Sequence, residues 1–334
     1  MASFFGPSLD KVKYRLIRAG IYFALVFGVS ACAVAKSTPV ISYPLDVEVG
    51  TLVQGPNAEL VYRGGVELNS TDPRFGGLSG LMVSEDGSEL LAISDRGWWV
   101  GGNLLYDNNK NLLGLNEVFI LPMKSMPNKK RGKEYTLDAE ALTKSGDGTF
   151  VVAFEREHRL WEYSGLFSSP RPIKVFDKIV QLPFNSGVEA LVWLGPGILL
   201  GIAEGGFSDQ QFLGFQTHGN EVFEFSYSHD NHFRPSDAVA LDGGGVLILE
   251  RGYTKALGVS ARLMLLSSKE IEASTTLTSQ LLVDLDSPLP LDNFEGLAQI
   301  TGRNRETLIY IISDNNYSSL QRTLLLMFEL ILCK

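Results

Sequence analysis

The sequence predicts an all-β fold, a β-propeller of five blades closed by its own N-terminal strand. Three observations predict it. A hairpin unit recurs five times, the copies lie about 50 residues apart with about four strands each, and one strand near the N-terminus has no blade of its own.

The unit reads most clearly as "GVEALVWLGPGILLGIAEGG" (187–206). Its other copies are "LSGLMVSEDGSELLAISDRG" (78–97), "DAEALTKSGDGTFVVAFERE" (138–157), "SDAVALDGGGVLILERG" (236–252) and "FEGLAQITGRNRETLIYIISDNN" (294–316). Each runs from a small or acidic residue through a short apolar strand and a tight turn to a β-rich strand ending in Asp or Glu. Asp86-Gly87, Asp147-Gly148, Gly195-Pro196-Gly197, Gly243-Gly244 and Gly302 supply the turns, with the residue types that hairpins require. Third strands are expected at "VFILPM" (118–123), "RLWEY" (159–163), "VFEFSY" (222–227), "RLMLLS" (262–267) and "LLLMFEL" (324–330). Fourth strands are expected at "PIKVFDK" (172–178) and "LLVDLD" (281–286). The last copy lacks a fourth strand, and "AELVYRGGVEL" (58–68) is expected to complete it and remove an open sheet edge. A sixth blade, in the longer spacings or in residues 40 to 70, stays open.

In a propeller the first strand of a blade lines the channel and the second runs antiparallel beside it. The start of one and the end of the other therefore lie at the same mouth. That places two series of acids together: Glu140, Glu189, Asp237 and Glu295, with Ser79 in the corresponding position, and Asp95, Glu155, Glu204, Glu250 and Asp314. Confined like charges raise one another's pKa or demand a cation. Arg96, Arg156 and Arg251 follow acids of the second series, and a divalent metal would supply the remaining positive charge. Oxygen ligands favour Ca²⁺ over Mg²⁺ here and either over zinc, in a chain with four histidines. The metal-ligand candidates are Asp95, Glu140, Glu155, Asp237, Glu250, Glu295 and Asp314. Glu189 and Glu204 are the candidate catalytic base, and Arg96, Arg156 and Arg251 the candidate substrate clamps.

The bulk properties set limits. A chain of 334 residues, 45% hydrophobic and 20% charged, with 34 glycines, describes a globular, turn-rich protein. A net charge of −9 argues against nucleic acid as a partner, because a phosphate backbone needs a basic face. Residues 1–36 read as an export segment and short linker, and 37–334 as one propeller domain. Lys11, Lys13, Arg15 and Arg18 precede an apolar run from Gly20 to Ala31, which is shorter than the roughly 20 residues a membrane span needs. The run ends in Val29-Ser30-Ala31-Cys32, which resembles the lipobox of bacterial lipoproteins, with Cys32 the lipidated residue. Ordinary cleavage after Ala33-Val34-Ala35 is the alternative. The expectation is an exported monomer of the bacterial cell envelope, touching membrane through that lipid alone, or else soluble in the periplasm or secreted.

Other chemistries find weaker support. No G-x-S-x-G elbow is present, although Ser79 stands at the channel end of its strand as a secondary nucleophile candidate. His158 follows Glu155-Arg156 as a candidate general acid, and "HDNH" (229–232) could chelate a metal. "DLDSPLPLDNFE" (284–295) lacks the glycine and carries prolines where an EF-hand loop cannot. Trp98 and Trp99 read as an aromatic wall or blade packing, with a ligand platform as the alternative.

"GGLSGL" (76–81), "AISDRG" (92–97), "DAEAL" (138–142), "GVEAL" (187–191) and "NFEGL" (293–297) together resemble the bacterial domain called esterase-like activity of phytase, over roughly residues 58 to 330. The resemblance implies a secreted propeller-class hydrolase of phosphoesters with an acid-lined site at Asp95, Glu140, Glu189 and Glu295. Asp237, in "PSDAVA", departs from the Glu-Ala or Glu-Gly of the other copies. The reading is an exported, metal-assisted phosphoester hydrolase acting on a small molecule. A metal-dependent carboxylesterase or lactonase, and a non-catalytic envelope-binding propeller with structural calcium, are the alternatives.

Overall fold

Five sheets stand around one axis, and each begins with the strand that the repeat marks. In this computed structural model residues 37–128, 133–174, 176, 182–208, 211–228, 232–255, 258–273 and 275–333 are described. The N-terminal export segment with Cys32, and residues 229–231 of "HDNH", lie outside them.

The inner strands are Leu78–Val83, Ala139–Lys144, Val188–Gly195, Phe233–Ala240 and Phe294–Thr301. They touch one another in ring order and close the circle between the fifth and the first. Side chains on a strand alternate between its two faces, so each blade buries one apolar set against each neighbour. Leu90 and Ala92 of blade 1 pack towards blade 5, while Leu91 and Ile93 pack towards blade 2. Trp99 is fully buried in that second seam, against Phe150 and Tyr163 at 5.5 and 5.4 Å. It is packing, and its neighbour Trp98 lies under Arg74.

The ring closes as the sequence predicts. Ala58–Ser70 pairs antiparallel with the C-terminal strand Leu324–Leu332, from Leu324 opposite Glu67 to Leu332 opposite Ala58. Blade 5 is thus sewn from both ends of the described chain, and Val40–Pro44 and Leu52–Gln54 both pair with the closing strand. There are five blades and no sixth among the described residues.

Two third strands differ from expectation. In blades 1 and 3 they are Trp98–Tyr106 and Gln211–His218, so "VFILPM" and "VFEFSY" belong to fourth strands. Gly101 and Gly214 sit within the overlooked strands and leave room for the rings of Phe119 and Phe225. Glycine weakens a strand pattern in the sequence while serving this close approach.

Each inner strand opens with a β-bulge, one residue that has no partner on the second strand. The bulged residue is Glu140 in blade 2, Glu189 in blade 3 and Glu295 in blade 5. In blade 1 it is Gly80. In blade 4 the ladder runs Pro235–Glu250, then Asp237–Leu249, so the bulge falls on Ser236. Blade 4 is therefore displaced by one residue from the alignment its sequence suggests, and a displacement of one turns every side chain to the other face.

Asp237 consequently points into the channel instead of the mouth. It occupies the level at which the other inner strands carry Ala141, Ala190 and Gly296, whose bulged neighbours are acids. Its carboxylate accepts from the backbone N–H of Leu297 at 2.7 Å, of Leu81 at 3.4 Å and of Ala238 at 2.8 Å, and it is 1% exposed. One side chain thus ties three inner strands across the axis and stops the channel below the mouth. Burial raises the Asp237 carboxyl well above the ordinary range despite these N–H donors, and a buried donor left unpaired costs about 1–3 kcal/mol, so Asp237→Ala should lower stability by about 3 kcal/mol or more, with Asp237→Asn intermediate. Urea unfolding monitored by tryptophan fluorescence checks this; an unchanged midpoint in Asp237→Ala would show that the strut does not hold the ring.

Candidate functional site

Above the Asp237 plug the mouth is a blind cup. Its wall is built from one residue near the start of each inner strand, which is the bulge residue in blades 2, 3, 4 and 5 and Ser79 beside the bulged Gly80 in blade 1, and from the residue that ends the core of each second strand. A repeated backbone bond fixes the second set: the N–H of Asp95, Glu155, Glu204 and Asp314 donates to the carbonyl of Gly77, Asp138, Gly187 and Asn293 respectively. In blade 4 Arg251 pairs with Arg234 in that position. Around the ring the inner places are Ser79, Glu140, Glu189, Ser236 and Glu295, and the outer places are Asp95, Glu155, Glu204, Arg251 and Asp314.

Seven of the nine predicted acids are therefore at the mouth, and two are not. Asp237 fills the channel, as described. Glu250 faces the seam between blades 3 and 4, fully buried, where it pairs with Arg262 at 2.7 Å and accepts from the Tyr227 hydroxyl at 2.7 Å. Both departures follow from the bulge at Ser236, which puts Arg251 where a carboxylate was expected.

Blade 2 carries the densest acid group. Asp138, Glu140 and Glu155 each present a carboxylate oxygen, and these atoms lie within 4.8 Å of one another. Arg156 reaches Asp138 at 2.8 Å and Glu155 at 4.0 Å. Glu140 accepts from the Ser79 hydroxyl at 3.3 Å. Burial, then Glu189 and Asp138, push its carboxyl well above the ordinary range. Burial also raises Asp138, against the pull of Arg156, and raises Glu155, to which Asp138 adds. Two oxygens each about 2.4 Å from one Ca²⁺ can be no more than about 4.8 Å apart. The three oxygens meet that upper limit, and hard oxygen donors without nitrogen or sulfur would suit a calcium ion better than zinc.

Arg159 holds this group in place. Its guanidinium lies among the rings of Tyr135, Phe154 and Trp161, and donates to the carbonyls of Thr136 and Glu157. It thereby ties the segment leading to Asp138 to the turn after Glu155.

Across the cup Arg251 bridges Glu295 at 2.9 Å and Glu204 at 3.5 Å. Between these groups stands Glu189, 4% exposed. Burial, then Glu204 and Glu295, raise its carboxyl well above the ordinary range. Burial raises Glu295 to about 7 despite Arg251, and Asp314 to about 6 despite the N–H of Asn316. Asp95 is raised by burial and by Asp138. Arg96, the third predicted clamp, stacks on the Tyr317 ring at 3.3 Å, and the Tyr317 hydroxyl bonds Ser94. Arg156, Asn316 and Tyr317 hold left-handed backbone at φ 57°, 47° and 50°, as do Lys110, Glu117 and Arg305 away from the cup.

The remaining candidates lie nearby. His158 bonds the carbonyl of Pro183 at 2.8 Å, and burial lowers its pKa. The second strand of blade 3, Ile198–Ser208, pairs with Gln211–His218, with Gly206 opposite Phe212 and Ser208 opposite Gln211. Asp138, Arg234 and Tyr317 were not singled out in the sequence. Asp138 was visible, two residues before Glu140 in "DAEAL" and so on the same face of a strand.

A family model described as Phytase-like, esterase-like activity of phytase, matches residues 73–317. No curated protein matches the chain. Among solved structures, a thermostable family-43 glycoside hydrolase is 8% identical, with 78% of this chain and 94% of that chain covered at a TM-score of 0.47. The N-terminal domain of Nup159 is 13% identical (86% and 100% covered, TM-score 0.41), and streptogramin B lyase 10% identical (86% and 100%, TM-score 0.39).

The raised carboxyls set a pH dependence. Glu295 and Asp314 keep protons in the folded state up to about 7 and about 6, whereas unfolded carboxyls lose them near pH 4. The folded chain then binds more protons than the unfolded one, so stability falls as pH rises from about 4 to about 7. Melting in EDTA should give a higher Tm at pH 5.5 than at pH 7.5; the opposite order would mean that these groups ionise freely in the cup.

Proposed function

The chain belongs to the phytase-like family described as esterase-like activity of phytase, and from that premise we propose that it hydrolyses phosphoesters with the aid of one divalent cation, Ca²⁺ before Mg²⁺. The observation that carries this reading is the blade 2 group, Asp138, Glu140 and Glu155, with oxygens close enough to share one ion. These three carboxylates would hold the cation. When bound, it supplies positive charge against the phosphate oxygens and so lowers the cost of charge developing there.

The chain's own residues do the rest. Arg156, half-exposed beside the triad, presents N–H donors to non-bridging oxygens. Glu204, paired with Arg251, accepts the proton of the attacking water. Glu189, buried where it retains a proton, donates to the leaving oxygen. The Asp237 plug closes the floor, so substrate enters and product leaves from one side. The same reading sets the enzyme in the cell envelope, held by lipid on Cys32; the sequence of residues 1–36 is its support.

Release of p-nitrophenol from bis(p-nitrophenyl) phosphate tests the proposal. Turnover should require added calcium and stop with EDTA. Glu204→Gln should lower kcat by about 100-fold or more, the scale of a lost acid–base group, and Glu140→Gln should raise the calcium concentration that turnover needs by about tenfold or more, each with the circular dichroism spectrum unchanged. Turnover that survives EDTA, Glu204→Gln at wild-type rate, or an unchanged calcium requirement in Glu140→Gln would contradict it.

A further inference from the structure

The bulge shift gives blade 4 a chemistry opposite to that of blade 2. The three places that hold Asp138, Glu140 and Glu155 in blade 2 hold Arg234, Ser236 and Arg251 in blade 4. The same backbone frame thus presents three acids on one wall of the cup and two guanidiniums with a hydroxyl on another.

A cavity of about 360 Å³ opens on the blade 4 wall, lined among others by His232, Arg234, Arg251, Tyr253, Asn293 and Gln321. Its volume suits a small molecule or one arm of a larger one. Arg234 lies over the Phe212 ring at 4.9 Å and donates to the carbonyl of Phe233, contacts that fix its plane. Arg251 is held from the cup side by Glu204 and Glu295. Asn293 is anchored through its amide N–H to Glu295 at 2.8 Å. Tyr253, 69% exposed on the projecting hairpin of blade 4, forms the outer wall. Two guanidiniums, each a planar fork of N–H donors, stand in one wall of this cavity.

We infer that this blade 4 cavity is an oxyanion-binding site, separate from the acid group of blade 2, which takes a phosphate or carboxylate group between Arg234 and Arg251. It does not depend on the proposed hydrolysis: anion binding here needs neither a cation nor turnover.

Isothermal titration in EDTA at low salt, with inorganic phosphate and with acetate as probes, tests the site. At least one of the two should bind the wild-type protein. Tighter phosphate assigns the site to a phosphoryl group and tighter acetate to a carboxylate; either supports the proposal. Arg234→Gln should weaken binding by about tenfold or more, the scale of about 1.4 kcal/mol. Arg234→Lys, which keeps the charge but loses the fork, should be intermediate and covers the case in which the first variant does not fold. Glu140→Gln should leave anion binding within twofold, although it disables the acid group. Binding of neither probe, unchanged affinity in both Arg234 variants, or loss of binding in Glu140→Gln would overturn the proposal.

Discussion

The β-bulge that opens each inner strand governs everything at the mouth. Because side chains on a strand alternate strictly, the position of one unpaired residue decides which group faces the cup, which faces a seam and which faces the channel. In blades 2, 3 and 5 the bulge falls on a glutamate and directs it into the cup. In blade 4 it falls on Ser236, and three charged groups change places together. Asp237 becomes the channel strut, Glu250 turns to Arg262 and Tyr227 in the seam, and Arg251 enters the cup.

That exchange is what makes the cup tolerable. A complete ring of carboxylates in a confined, partly dry site would drive protons on or the fold apart. Arg251 meets Glu204 and Glu295 on one side, Arg156 meets Asp138 and Glu155 on the other. Burial and neighbouring acids raise the Glu140 and Glu189 carboxyls well above the ordinary range. Such groups are poised either to keep a proton or to exchange it for a cation, and both are useful to a hydrolase. The polarity of the cup, acid on blade 2 and basic on blade 4, is thus a consequence of strand register before it is a matter of catalysis.

Much of this was legible in the sequence, because hairpins leave strong local signals. The five turn pairs, the apolar runs and the acids at their ends located all five inner hairpins, and the unmatched strand at 58–68 foretold the closure of blade 5. What the sequence hid was everything that depends on register. "PSDAVA" aligns naturally with "DAEAL" and "GVEAL", and only the ladder shows that its serine, not its aspartate, takes the bulge. Strands broken by glycine were also hidden. Gly101 and Gly214 look like interruptions until the rings that occupy their place are seen. Asp138 was overlooked for a related reason: a plain strand puts residues 138 and 140 on one face, but gives no sign that the face becomes a metal-sized cluster with Glu155.

The account rests on one cation position in a cup that five blades could have made symmetric. A crystal structure of the protein with Tb³⁺ in place of calcium, phased on the anomalous signal, tests this most directly. The account predicts a single strong peak at the mouth, bounded by carboxylate oxygens of Asp138, Glu140 and Glu155, with none beside Arg251. No peak at that triad, or a peak between Glu204 and Glu295 instead, would contradict it.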